Sequence, residues 1–232
     1  MIAITFALPA ESSRFVRRLH ETRRVACSDT RLIYGRMDSR IVAVFHTGVG
    51  AEICRRRMAD FLQDRQVSVL ISAGFAAALT DELDAGSVLL AQNFSTVKLD
   101  RACAALLPIG PATANLATVS RILESTADRT RAAQETGAVA ADMETDLIAR
   151  VCAEFGVPLL ALRVISDTPA RPLPAPADVL FDLERQKTNL GRLMAHLITH
   201  PPTVIRLIRF TRQIRQARKT LTEALVAVAT AL

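Results

Sequence analysis

Short runs of β-branched and other apolar residues alternate along this chain with amphipathic stretches, and that alternation admits few architectures. Residues 2–6 read as a first strand, and 12–20 as a helix with Phe15, Val16 and Leu19 on one side. Strands are predicted at 32–34 and 41–45, joined through the turn residues Met37, Asp38 and Ser39. The loop Thr47-Gly48-Val49-Gly50 leads into a helix over 51–63, a strand follows at 67–72, and Ala73-Gly74-Phe75 comes directly after it. Beyond the turn Asp84-Ala85-Gly86 come a strand at 87–91, a weaker one at 119–121, and helices over 126–135 and 142–155. Gly156 and Pro158 stop the last of these helices. The strand at 159–165 is apolar except for Arg163, a proline-rich loop spans 168–177, and two C-terminal helices are split by Pro201 and Pro202. The expected fold is a three-layer αβα sandwich with a central mixed, mostly parallel sheet, over residues 1–200, followed by a basic amphipathic helix in 201–232. Ligands of such folds gather beyond the carboxyl ends of the strands, which directs attention to the loops 7–11, 47–50, 73–78 and 166–177.

Composition narrows the function classes. The chain has 232 residues, 50% hydrophobic and 22% charged, enough for one domain with a substantial core. No apolar run approaches the ~20 residues that span a bilayer. The start meets Glu11 early and has no basic region before its apolar stretch, so it reads as a buried strand and not as a signal peptide. The four cysteines, Cys27, Cys54, Cys103 and Cys152, form no C-x-x-C pair and fit reduced thiols in the cytoplasm. His196 and His200 share a helical spacing but lack the acid and third ligand of a zinc site, so neither metal nor cofactor is expected. The net charge of +6 is concentrated at 206–219. With one Tyr and no Trp, platforms for stacking bases are scarce, and no nucleic-acid partner is expected.

Three carboxylates stand out by position: Glu11 after the first strand, Glu144 at a helix start and Asp167 after the apolar strand. Singly, each fits a helix cap or a first-turn acid. Together, all lie at or near strand ends in apolar surroundings, where an unpaired charge is costly. Arg163 calls for a carboxylate partner on the same ground, with Asp142 and Glu11 as candidates.

The order Thr47-Gly48-Val49-Gly50-Ala51, Ser72-Ala73-Gly74-Phe75-Ala76-Ala77-Ala78-Leu79, Asp142-Met143-Glu144-Thr145 and Arg163-Val164-Ile165-Ser166-Asp167 resembles the nucleoside phosphorylase-I superfamily. Within it the nearest resemblance is to the methylthioadenosine/S-adenosylhomocysteine nucleosidases, from residue 1 to about residue 170. The last two motifs are the specific ones; the glycine loop alone carries little weight. The resemblance implies cleavage of the N-glycosidic bond of a purine nucleoside, in which the ribose becomes cationic and the departing base anionic. It makes Asp167 the acid that delivers or shares a proton at purine N7, with a pKa raised by burial, and Ser166 the residue that orients it. Glu144 would bind the ribose hydroxyls and Met143 would pack under the sugar. Glu11, with Arg163 and Asp142, would hold the attacking water. Phe75, Gly74 and Gly48 would line the substrate site.

Departures from the family pattern matter too. Phosphorylases of the superfamily hold phosphate with an arginine and a serine near the strand end and a loop after strand one. Those positions here carry Ser72 and Phe75, and the loop reads Ala7-Leu8-Pro9-Ala10-Glu11, which favours water as nucleophile. Phe75 also replaces a serine common in the nucleosidases, and Asp142 a glutamate. Phosphate-dependent cleavage, and a non-catalytic nucleoside-binding protein on the same fold, therefore stay open as alternatives. Residues 93–135 are shorter than in the small-molecule nucleosidases, which fits either an open 5′ side or the simple loss of a lid.

On the C-terminal helix, Leu207, Phe210, Ile214, Ala217, Leu221, Ala224 and Val228 form one apolar stripe flanked by arginines. Such a helix packs on its own domain or on a partner subunit, or lies on an anionic membrane through residues 203–219. This tail and Arg171-Pro172-Leu173-Pro174 resemble the hopanoid-associated phosphorylase-like proteins, a likeness that implies a lipid-linked purine nucleoside, adenosylhopane, as substrate. Family resemblance also implies a homodimer or larger assembly.

Overall fold

The computed structural model describes residues 1–27, 30–48, 50–180, 199–200 and 202–232. The first of the two expected C-terminal helices, and His196, lie outside the described residues. Among the described residues, ten strands form one mixed sheet with helices on both faces. In chain order they are β1 (Ile2–Phe6), β2 (His20–Cys27), β3 (Thr30–Met37), β4 (Arg40–His46), β5 (Val69–Ala78), β6 (Val88–Ala91), β7 (Ala112–Ala114), β8 (Leu116–Thr118), β9 (Ala140–Asp142) and β10 (Leu159–Asp167). The helices are α1 (Pro9–Val16), α2 (Ala51–Leu62), α3 (Asp100–Leu106), α4 (Thr126–Thr136), α5 (Thr145–Glu154), α6 (Ala177–Leu180) and α7 (Pro202–Ala231).

The main path of the sheet runs β2-β3-β4-β1-β5-β10-β6-β7. Its centre, β4-β1-β5-β10, is parallel, while β6 pairs antiparallel to β10. Alternate residues of β1 and β4 go to opposite faces, as a pleated strand dictates. Ile2, Ile4, Phe6, Val42 and Val44 meet α1, α3 and α7; Ala3, Ala43 and Phe45 meet α2 and α5. Residues Ala217, Leu221, Ala224, Leu225 and Val228 of α7 are buried in the first of these cores. The segment read as a separate C-terminal helix is thus, from Ala217 onward, part of the main domain.

Several element boundaries differ from the sequence expectation. β2 occupies 20–27, where no strand was expected. It is a charge-rich, exposed edge strand held by its ladder to β3, so it carries no burial pattern. The helix expected over 12–20 is Pro9–Val16, started by a proline whose missing N–H costs a first turn nothing. The helix expected from 142 begins at Thr145, because Ala140–Asp142 pair with β5 and β8. The strand expected at 119–121 lies at Leu116–Thr118. β5 is longer than expected: Ala73, Gly74 and Phe75 continue it, and its far end turns to pair with β9. In β10 the register shifts between Ile165 and Asp167, an irregularity of the kind that re-aims side chains at a strand end.

Candidate active site

The carboxyl ends of β1, β5, β9 and β10 converge, and every acid singled out in the sequence is there. Glu11 sits in the first turn of α1 and folds back over the sheet. Leu8 N donates to its Oε2 at 2.9 Å and Phe75 N to its Oε1 at 3.3 Å. Gly74 permits this approach: a Cβ there would lie 3.1 Å from Glu11 Oε1. Burial raises the Glu11 pKa, against the opposing pull of these amides and of the Arg163 charge.

Arg163 pairs with Asp142. Its Nε and Nη2 donate to Asp142 Oδ2 at 3.0 and 2.8 Å, Nη1 to Ser72 O at 2.6 Å, and Nη2 to Ser72 Oγ at 2.9 Å. Asp142 also accepts from Thr118 Oγ1 at 3.0 Å and from the Thr145 hydroxyl. Both oxygens of Asp142 are thereby committed to a buried network that ties β8, β9, α5 and β10 together. Among the two candidate partners of Arg163, Asp142 makes the direct ion pair, and Glu11 feels the charge without a bond.

Glu144 occupies the N-cap position of α5 without capping it. Burial, followed by the charges of Asp142 and Glu11, pushes its pKa up to about 8. Between Glu11, Glu144 and Arg163 lies a pocket of about 20 Å³ that also touches Thr5, Thr47 and Ser72. That is room for one water molecule. Thr5 Oγ1 is buried beside it with no hydrogen-bond partner, a polar atom that such a water would satisfy.

A larger cavity of about 240 Å³ adjoins this pocket, the two sharing Phe75 and Glu144 as walls. β5 supplies Phe75, Ala76 and Ala77. β9 supplies Ala141 and Asp142, the turn before α5 supplies Met143 and Glu144, and β10 supplies Ser166 and Asp167. Val119, Ile122 and Leu123 cover one side, and Leu173, Phe210 and Ile214 form an apolar mouth. Gly48 lines neither cavity. It takes a positive φ of 76° after β4 and donates its N–H to Ala7 O at 3.0 Å, while Thr47 beside it reaches the small pocket.

Asp167 has a partner that the sequence did not indicate: its Oδ2 forms a buried ion pair with Arg129 of α4, and Ser166 Oγ donates to Oδ1 at 2.6 Å. Arg129 is 1% exposed, and it also donates to Ala78 O at 2.9 Å and Leu123 O at 3.2 Å. Sequence reasoning missed it. The signal available was its place three and four residues before Ala132 and Ala133, on the inward side of a helix.

Residues 99–199 match the family model described as Phosphorylase superfamily. A 5′-methylthioadenosine/S-adenosylhomocysteine nucleosidase from Colwellia psychrerythraea, solved in complex with adenine, superposes with a TM-score of 0.73 at 16% identity over 100% of this chain and 95% of that one. The chain shares the fold of that nucleosidase. A Neisseria meningitidis nucleosidase of the same name, in complex with methylthio-immucillin-A, gives 0.74 at 14% identity, covering 100% of this chain and 99% of that one. Futalosine hydrolase from Helicobacter pylori gives 0.63 at 19% identity, covering 72% and 87%. No curated protein matches the chain. In this fold the acids stand where the parallel strands end, the position at which α/β sheets take their ligands.

Proposed function

We propose that the protein hydrolyses the N-glycosidic bond of a purine nucleoside, adenine being the base. The observation that carries this reading is the pairing of two spaces: a nucleoside-sized cavity edged by Glu144 and Asp167, and directly against it a one-water pocket edged by Glu11, Glu144 and Arg163. The small pocket is too tight for a phosphate ion, which favours water over phosphorolysis.

In the proposed reaction the water oxygen bonds to C1′ as the C1′–N9 bond breaks, and the bonding pair leaves with the base. Glu11, its carboxyl fixed by two backbone amides, takes the proton from the water. Glu144 receives the ribose hydroxyls. Its pKa of about 8 leaves it largely protonated near neutral pH in the empty site, and a cationic sugar beside it favours the carboxylate form. Met143 packs under the ring. The departing purine takes a proton from solvent at N7, and Asp167, fixed by Ser166 and Arg129, accepts the hydrogen bond of that N–H. Arg163 keeps Asp142 compensated beneath the site.

The finer reading concerns the 5′ arm. Leu173, Phe210 and Ile214 make the exit from the cavity apolar, which suits a bulky hydrophobic substituent such as the triterpene of adenosylhopane. No helix among the described residues is long and apolar enough to cross a membrane. A lipid-linked substrate would be met at the cytoplasmic membrane surface, through residues 203–219, where Val204, Ile205 and Ile208 are exposed among arginines. Assembly as a homodimer or larger rests on the family resemblance, and sedimentation velocity tests it.

Methylthioadenosine, adenosylhomocysteine and a 5′-alkyl adenosine, each incubated with and without phosphate, test the reaction. Adenine release independent of phosphate is expected, fastest from the alkyl substrate, and release from none of them overturns the proposal. Asp167→Asn should lower turnover by about 10²–10⁴-fold; because the change strands the Arg129 charge, turnover is compared well below the variant's lowered melting temperature, where circular dichroism shows it folded.

A further inference from the structure

Next to the mouth of the nucleoside cavity runs a second, open groove of about 830 Å³. Four arginines line it: Arg171 from the loop after β10, and Arg206, Arg209 and Arg212 along one flank of α7. Leu173 and Phe210 belong to the walls of both spaces. The flank is held in place relative to the site. Gln213 Nε2, in the same groove, donates to Ser166 O at 2.5 Å, and the later turns of α7 are locked in the core.

No carboxylate among the described residues pairs with any of the four arginines of this groove, whereas some exposed cations elsewhere are paired: Arg121 with Asp128, Arg150 with Asp146 and Lys219 with Glu223. Arginines three residues apart on a helix repel one another, so three in a row on one flank carry a cost that an anion would relieve. Guanidinium forks match the oxygens of a phosphate two at a time, and Gln213 and Gln216 add uncharged donors. The groove is distinct from the one-water pocket, since it touches neither Glu11 nor Arg163.

We propose that this groove is a phosphate-binding site at the entrance of the nucleoside cavity. Its occupant is a phosphate group just beyond the apolar mouth, either a free phosphate compound or the head group of an anionic phospholipid. The placement of the site beside a nucleoside cavity rests on the functional reading above; the binding of phosphate does not.

Two probes separate the sources. Inorganic pyrophosphate is titrated by calorimetry, and vesicles of phosphatidylcholine with or without phosphatidylglycerol are tested by co-sedimentation. The wild-type chain is compared with the triple variant Arg206→Gln, Arg209→Gln, Arg212→Gln and with the corresponding triple lysine variant. These side chains are exposed, so the fold should survive, and the circular-dichroism spectra and melting temperatures of the variants verify that it does. The expected result is binding of at least one probe, weakened about tenfold or more by the glutamine changes and less by the lysine changes. Pyrophosphate binding identifies a free phosphate compound, and binding only to vesicles containing phosphatidylglycerol identifies a head group. Failure of the wild-type chain to bind either probe, or equal binding by the glutamine variant, overturns the proposal. Should no nucleoside be cleaved while the arginine-dependent binding persists, the function is wrong and the phosphate site stands.

Discussion

At the scale of single residues, the site is a set of charges taken from water, each with a different form of compensation. Asp142 is bonded to Arg163 and two threonines, and Asp167 to Arg129 and Ser166, whereas Glu11 has backbone amides and Glu144 little besides burial. Removing one partner of a buried pair strands the other charge, so Arg129→Met is expected to destabilise the fold by about 3–5 kcal/mol in urea unfolding. Adding Asp167→Asn to that variant should recover part of the loss; no recovery would mean the pair is not coupled. Glu144 gives the opposite kind of test. Its folded pKa of about 8 lies above the ordinary 4.5, so the folded state holds a proton that the unfolded state releases. Its contribution is fully present below the unfolded value and is lost as pH rises through the folded one. Stability should therefore fall from about pH 5 to pH 8, and Glu144→Gln should flatten the slope. The acids at 11, 144 and 167 were legible in the sequence because charged residues in apolar surroundings demand a reason. Arg129 was not, because a helix of alanines, threonines and charges has almost no apolar face to mark its inward side.

Among the elements, α7 divides into two halves with different partners. From Ala217 on it is core, and before that most of its side chains reach solvent. Leu221→Ala, at a site 1% exposed, should cost about 2–5 kcal/mol, whereas Ile205→Ala should change stability by under about 0.5 kcal/mol. Similar losses at both positions, read from denaturant midpoints, would contradict this division. The apolar stripe was visible as a periodicity, but periodicity does not say what covers it. β2 shows the converse: its eight residues have no hydrophobic alternation and are a strand only because β3 offers an unpaired edge.

For the molecule as a whole, ligand binding and folding are linked, since the cavity is built from strands and helices far apart in sequence. Adenine at 100 times its dissociation constant should stabilise the chain by about 2.7 kcal/mol, seen as a rise of several degrees in Tm. An unchanged Tm at saturating adenine would count against a base site. By itself the sequence determined the alternation of strands and helices, hence the layered fold and the strand ends where ligands collect, because those follow from local periodicity and short connections. It also marked the acids, through the cost of burying charge. Only tertiary structure decided which charges meet. The Arg129–Asp167 pair, the hold of Asp142 on Arg163, the one-water pocket and the arginine groove each join segments 21 or more residues apart, and no local pattern encodes a distance across the fold.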